Sequence, residues 1–88
     1  MDRADLSEAL RDLYNEDTGA SLDVLGEDVE FITDLGLDSV EVVSLIMQVE
    51  RLFRIRLTLT ELNQVVTFGN LLDLVLPKLQ KTTGYRAA

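Results

Sequence analysis

Residues 34–53 read DLGLDSVEVVSLIMQVERLF, and the later part of this stretch shows the clearest hydrophobic period in the chain. Between about Ser39 and Phe53, apolar residues fall on one face of a helix: Val42, Leu45, Ile46, Val49, Leu52 and Phe53. Polar residues form a stripe beside that face: Glu41, Ser44, Gln48 and Arg51. The pattern therefore predicts an amphipathic helix that buries one side in a core.

Upstream of this helix, the sequence predicts another helix and then a long loop. Asp5 and Glu8 have the spacing of a capping box, apolar residues follow at helical intervals, and Gly19 would end the helix. Residues 16–38 show no sustained period, and we expect a short helical turn near Ser21–Leu25. The apolar residues of the loop could pin it to the core: Leu22, Leu25, Val29, Phe31, Ile32 and Leu35.

Downstream, the sequence predicts a connector and two more helices. Residues 54–59 alternate polar and apolar side chains, which is the pattern of a β-strand. The sequence offers no good partner strand, so we expect an extended connector. Thr58 opens a second capping box and predicts a short helix over about 59–65. Thr67 would cap a last amphipathic helix, which Pro77 would kink or end because proline clashes with the carbonyl four residues back.

These elements predict an all-α fold, a four-helix bundle of three long helices and one short helix with a long first loop. The chain has 88 residues, which suffices for one domain. We expect that domain to span residues 1–80 and residues 81–88 to form a flexible tail.

The composition excludes several kinds of chemistry. The chain has no cysteine and no histidine, so it lacks the commonest general base and the commonest metal ligands. No apolar run reaches the ~20 residues of a membrane span, and the N-terminus is too charged for a signal peptide. We expect a cytoplasmic monomer with no metal site and no catalytic residues.

The charge is strongly negative and unevenly distributed. The net charge is −8; residues 1–50 carry fourteen acids and two bases, whereas residues 51–88 carry two acids and six bases. The acidic half disfavours nucleic acid, whose phosphates it would repel. It favours partners with basic surfaces, although solubility alone would also account for a bare net charge.

Residues 34–39, at the start of the central helix, are the part of the sequence that indicates a function. Gly36 permits a turn, and Leu35 and Leu37 can anchor that turn to the core. Ser39 then stands at the start of the helix, where unpaired amides favour an anion. Serine in this position is often only an N-cap, but Asp38 could fill that role and leave the hydroxyl available.

The helix also has apolar residues on the side opposite its core stripe. Val40 and Met47 lie away from the stripe, and Val43 lies on its flank. Apolar side chains that face water beside a reactive hydroxyl suggest a docking surface. The same residues could instead be buried in a larger assembly.

Residues 34–39, DLGLDS, resemble the D-L-G-x-D-S attachment motif of the acyl carrier protein family. The resemblance extends from about Leu6 to Leu79, and it implies the four-helix fold of acyl-carrier type. It implies that a phosphopantetheinyl transferase uses coenzyme A to place 4′-phosphopantetheine on Ser39, with Asp38 helping to position the serine. The arm would then carry acyl groups as thioesters.

The same resemblance implies a partner-recognition face on the central helix, formed by Val40, Glu41, Val43, Ser44, Met47, Glu50 and Arg51. The partners would be acyltransferase, ketosynthase or acyl-activating enzymes. Bacterial fatty-acid members of the family usually have acids where Ser44 and Arg51 stand. This departure predicts a polyketide or other specialised acyl pathway.

Two other kinds of protein remain as alternatives. A peptidyl or aryl carrier domain is the nearest, although such relatives usually have glycine or histidine where Asp38 stands. A helical interaction module would use Val40 and Met47 for docking and leave Ser39 unmodified. A free-standing enzyme fits least, because the carboxylates are spread along solvated faces.

Overall fold

A computed structural model describes the backbone of residues 2–87 and the side chains of residues 2–79. Within that part of the chain there are four helices: α1 (Arg3–Thr18), α2 (Ser39–Phe53), α3 (Leu59–Asn63) and α4 (Phe68–Ala87). An isolated antiparallel bridge joins Glu30 to Thr67. The predicted all-α fold, with three long helices, one short helix and a long first loop, is confirmed.

Helix α1 begins earlier than its sequence predicts and ends as predicted. The Asp2 side chain caps it by accepting a hydrogen bond from the Asp5 amide at 2.8 Å, so the expectation that Asp5 is the cap is wrong. The earlier carboxylate satisfies the same free amides and adds a turn to the helix. Gly19 ends the helix with φ 78°, and its amide donates to the Asn15 carbonyl at 2.8 Å.

The core lies between α1, α2 and α4. Its buried side chains on the three long helices are Leu6, Leu10, Tyr14, Val42, Leu45, Ile46, Val49, Phe68, Leu71, Leu72 and Val75. The predicted apolar stripes therefore bury as expected, with one exception. Leu52 is 58% exposed because it lies at the margin of the core-facing side of α2, whereas Phe53 lies nearer the centre of that side and is half-buried.

The first loop is fixed to the core mainly through Phe31. Its ring packs edge-to-face on Phe68, with 6.5 Å between ring centroids, and only 1% of the residue is exposed. Its amide donates to the Val66 carbonyl at 3.1 Å. The adjacent Ile32 points outward and is 57% exposed, so it does not pin the loop as expected. The helical turn also lies over residues 31–35, not near Ser21–Leu25.

Polar contacts hold the rest of the loop. The Asn15 side chain accepts from the Leu22 amide at 3.1 Å and donates to the Leu22 carbonyl at 2.8 Å, as a backbone partner would. Arg3 pairs with Glu27 at 2.6 Å and with Asp73 at 2.9 Å, which joins α1, the loop and α4. The hydrogen bond from Arg3 lowers the pKa of the Glu27 carboxyl.

The connector after α2 is extended, as predicted, and α3 follows it. The Glu50 carboxylate accepts a hydrogen bond from the Leu57 amide at 2.9 Å and so holds the connector against α2. Thr58 and Glu61 form the predicted capping box, with bonds of 3.1 Å and 2.8 Å. Helix α3 ends at Asn63, two residues before its predicted end.

The last helix passes through Pro77 instead of ending there. Its start is as expected, because the Thr67 hydroxyl accepts from the Asn70 amide at 3.1 Å. Leu76 and Leu79, on either side of the proline, pack against the core. That packing offsets the one hydrogen bond that proline cannot donate. The predicted flexible tail, residues 81–88, lies outside the side chains that the structure describes.

We expect Phe31→Ala to lower the free energy of unfolding by about 3–5 kcal/mol, because it empties a fully buried site between the loop and α4. The matched control is Ile32→Ala, which removes an exposed side chain of the same loop and should cost less than about 1 kcal/mol. Urea denaturation followed by circular dichroism measures both values. Equal losses in the two variants would contradict the assignment of Phe31 as the anchor.

Candidate functional site

The turn before α2 is fastened to the core through its backbone. The amide of Leu37 donates to the Phe31 carbonyl at 3.1 Å, and the amide of Gly36 donates to the Ile32 carbonyl at 3.1 Å. Gly36 has φ 72°, a left-handed conformation that strains other residues. Leu37 is buried and Leu35 is half-buried, so both anchor the turn as predicted.

Asp38 caps α2 and so resolves which residue is the N-cap. Its carboxylate accepts from the Glu41 amide at 2.7 Å, while the Glu41 carboxylate accepts from the Asp38 amide at 3.0 Å. This reciprocal pair is a complete capping box. Ser39 is therefore the first residue of the helix and not its cap.

Ser39 is exposed, and its hydroxyl makes no hydrogen bond to any residue that the structure describes. The amides of the first helical turn give this end of α2 a partial positive charge. A phosphate joined to the Ser39 oxygen would lie where a helix stabilises an anion. The residues present thus fit a phosphate-linked group on this serine.

A cleft of about 550 Å³ opens beside the motif. It lies between the end of α1, the start of the first loop and the first turns of α2. Gly36, Leu37 and Glu41, which flank Ser39 in the chain, line one side, and Tyr14 and Asp17 line the other. The sequence alone could not have revealed this cleft, because it depends on how the loop passes over α1.

The outward side of α2 carries a continuous row of exposed residues, which we call the α2 stripe: Val40, Val43, Ser44, Met47 and Arg51. Val40 is 74% exposed, Val43 43% and Met47 54%, whereas Ile46 on the inner side is buried. The predicted separation of an outer apolar set from the core set is therefore present. The row begins next to Ser39, so a partner that reaches the hydroxyl would touch it.

The two predicted acidic contact residues differ in accessibility. Glu41 is exposed, although one of its oxygens serves the capping box. Glu50 is half-buried, and its carboxylate accepts from the Leu57 amide. Glu50 therefore has a structural contact that its sequence position did not indicate, and its part in partner binding stays a prediction.

The described residues contain no group of three histidine, cysteine, aspartate or glutamate side chains placed to hold a metal ion. No helix in the described part of the chain is both long and apolar enough to cross a membrane. The chemistry of the site thus consists of one accessible hydroxyl at a helix start.

Comparison with known proteins finds relatives that are acyl carrier proteins. A family model described as a phosphopantetheine attachment site matches residues 8–75. The acyl carrier protein of Saccharopolyspora erythraea is 26% identical over 88 residues, which cover 100% of this chain and 93% of that protein. That of Sulfurovum sp. is 30% identical over 70 residues, covering 80% and 93% respectively. The crystal structure of an acyl carrier protein from Thermotoga maritima superposes with a TM-score of 0.83 at 29% identity, covering 93% of this chain and 95% of that one.

We expect Asp38→Ala to lower the free energy of unfolding by about 0.5–2 kcal/mol, because it removes the N-cap of α2. Ser39→Ala should change it by less than about 0.5 kcal/mol, since the hydroxyl supports no fold contact. Chemical denaturation of both variants at neutral pH provides the measurement. A larger loss at Ser39 than at Asp38 would show that the serine is the cap.

Proposed function

The chain belongs to the acyl carrier protein family, and on this basis we propose that Ser39 bears a covalent 4′-phosphopantetheine arm derived from coenzyme A. When bound, this group supplies a terminal thiol that holds acyl groups as thioesters. The chain would present those groups to separate biosynthetic enzymes, and it would act as a carrier without catalytic activity of its own.

The observation that carries this proposal is that Asp38 caps the helix while the neighbouring Ser39 hydroxyl stays free. Asp38 makes both hydrogen bonds of the capping box with Glu41, and the adjacent hydroxyl is left exposed and unused. Modification of that hydroxyl would therefore disturb no contact of the fold. The turn that presents it is fixed by the buried Leu37, which would hold the serine in a constant position at the start of α2.

The transferase that adds the arm would take a proton from the Ser39 hydroxyl and join its oxygen to the phosphorus of coenzyme A that carries the pantetheine. The pyrophosphate bond of coenzyme A would break in this step, and adenosine 3′,5′-bisphosphate would leave. The chain contains no histidine, the most frequent general base, for that step. Its own contributions are the position of the hydroxyl and the helix N-terminus, which would stabilise the attached phosphate. Asp38 would orient the serine through the cap.

The partners would dock on the α2 stripe and on Glu41 beside it. Val40 and Met47 offer apolar contacts close to Ser39, and such contacts in a water-exposed row suit a surface that is covered only part of the time. An acyltransferase, ketosynthase or acyl-activating enzyme seated there would reach the end of the arm.

The pathway that we propose is a polyketide or other specialised acyl pathway. The support lies in the exposed Ser44 and Arg51, which stand where the fatty-acid members that this sequence resembles usually have acids. Arg51 puts a positive charge on the docking side of α2. A partner whose surface is uniformly basic would meet repulsion there.

Incubation with coenzyme A, magnesium and a broad-specificity phosphopantetheinyl transferase should add one arm to the wild-type protein. Ser39→Ala should add none, because it removes the accepting oxygen, whereas Ser44→Ala is the control and should still add one. Intact mass spectrometry detects the arm, and circular dichroism checks that each variant is folded. An arm on the folded Ser39→Ala protein would refute the assignment.

The double substitution Ser44→Glu with Arg51→Glu should increase malonyl transfer by a fatty-acid malonyl transferase several-fold at low salt, because it replaces repulsion with attraction. Both proteins carry the arm before the assay, so only docking and transfer differ. The gain should shrink as salt screens the charges. A wild-type rate that already matches a fatty-acid carrier, or no gain at low salt, would contradict the proposed pathway class.

A further inference from the structure

Three arginines cluster at the end of α2 and remain unpaired. Arg51, Arg54 and Arg56 are exposed, and none forms an ion pair with any residue that the structure describes. The other basic side chains in that part of the chain do form ion pairs, among them Arg3 with Glu27 and Lys78 with Glu61. In a chain of net charge −8 with acids available, three unpaired bases within six residues are free to bind an acidic group of another molecule.

Arg54 also occupies a position where its backbone is unfavourable. It ends α2 with φ 55° and ψ 47°, and it is the one residue other than glycine with positive φ in the described chain. Helices commonly end in this conformation with glycine, which adopts it without steric cost. Fold stability therefore favours glycine here, so the arginine side chain needs another reason for its presence.

The position of the cluster places it within reach of any partner that takes the arm. Arg51 follows Ser39 by twelve helical residues, roughly 18 Å along the axis. A standard protein interface covers about 800 Å² per partner, a patch roughly 30 Å across. A partner seated on Val40 and Met47 would thus cover Arg51 as well. A guanidinium that loses water without gaining a partner group is costly.

We infer that the enzymes served by this carrier present carboxylates to Arg51 and Arg54. These carboxylates would form a patch on the enzyme, roughly 18 Å from the opening through which the enzyme receives the arm. This inference rests on the proposed function. The exposed side of α2 and its caps then have two signs of charge, with Asp38 and Glu41 at the serine end and arginines at the far end. A partner with the complementary pair of patches can seat in one direction only.

Protein carboxylates fit this cluster better than a nucleic acid or an anionic membrane does. The long-range field of the chain is negative, so an extended polyanion would be repelled before it reached three local positive charges. A folded enzyme can place a compact acidic patch against the arginines and a basic patch against the acids near Ser39. Such charges act mainly on the association rate and its dependence on salt.

The test uses the protein with its arm attached, verified by intact mass, and the acyl-loading enzyme purified from the source organism by following transfer to that protein. The second-order rate constant of loading is measured from low to high salt. Arg51→Glu should slow loading about tenfold at low salt, and added salt should narrow the difference. Arg54→Gly should slow loading about twofold to threefold while raising the midpoint of thermal unfolding, because glycine removes the backbone strain.

The matched control is Ala4→Glu with Ser21→Glu, which lowers the net charge by the same two units at exposed positions outside the α2 stripe. Its loading rate should remain close to that of the wild type. Loading that is unchanged or faster in Arg51→Glu would overturn the inference, as would sedimentation showing that the cluster joins two copies of this chain. Failure of the wild-type protein to accept an arm or an acyl group would instead overturn the proposed function itself.

Discussion

The anchoring of Phe31 is the constraint on which the rest of the site depends. Its ring packs on Phe68, its amide bonds to Val66 and its carbonyl receives the amide of Leu37. These contacts join the first loop to the start of α4 and to the turn before α2. Because the loop has little regular structure of its own, these contacts of Phe31 fix the turn that leads into α2.

Two capping boxes fix where the helices next to this turn begin. Asp38 with Glu41 starts α2, and Thr58 with Glu61 starts α3, so both helices on this side of the molecule have definite first residues. The Glu61 carboxylate accepts bonds from Thr58 and Lys78, and these bonds lower the pKa of its carboxyl. The short α3, which contains no fully buried residue, is thus held at its start and tied to α4.

Much of the fold could be predicted from the sequence, since the apolar period of α2 and both capping boxes are local signals. Gly36 and Ser39 were likewise recognisable, because a turn glycine and a serine before a helical period have specific local meanings. Besides the cap of α1, where an earlier carboxylate took the place of Asp5, the predictions failed where distant packing decides. Ile32 and Leu52 are apolar and stand near buried neighbours, yet the path of the loop and the end of α2 leave both exposed.

The sequence also could not predict features that depend on which residues lie close together in three dimensions. The bond between Glu50 and Leu57 joins the last turn of α2 to the connector, and nothing in the sequence distinguishes that glutamate from a solvated one. The left-handed conformation of Arg54 could not be predicted either, because arginine is not a residue that typically ends a helix in this conformation. A glycine at this position would have predicted the end of the helix.

Because Asp38 and Glu41 hold the cap without the serine, a group attached to the serine hydroxyl would break no hydrogen bond of the fold. The bare, armed and loaded forms would then share one scaffold with nearly the same stability. Enzymes could tell these forms apart only by the group they carry and not by the shape of the carrier. On the proposed function, the protein would accordingly fold first and be modified at any later time, and it would exchange one cargo for another without refolding.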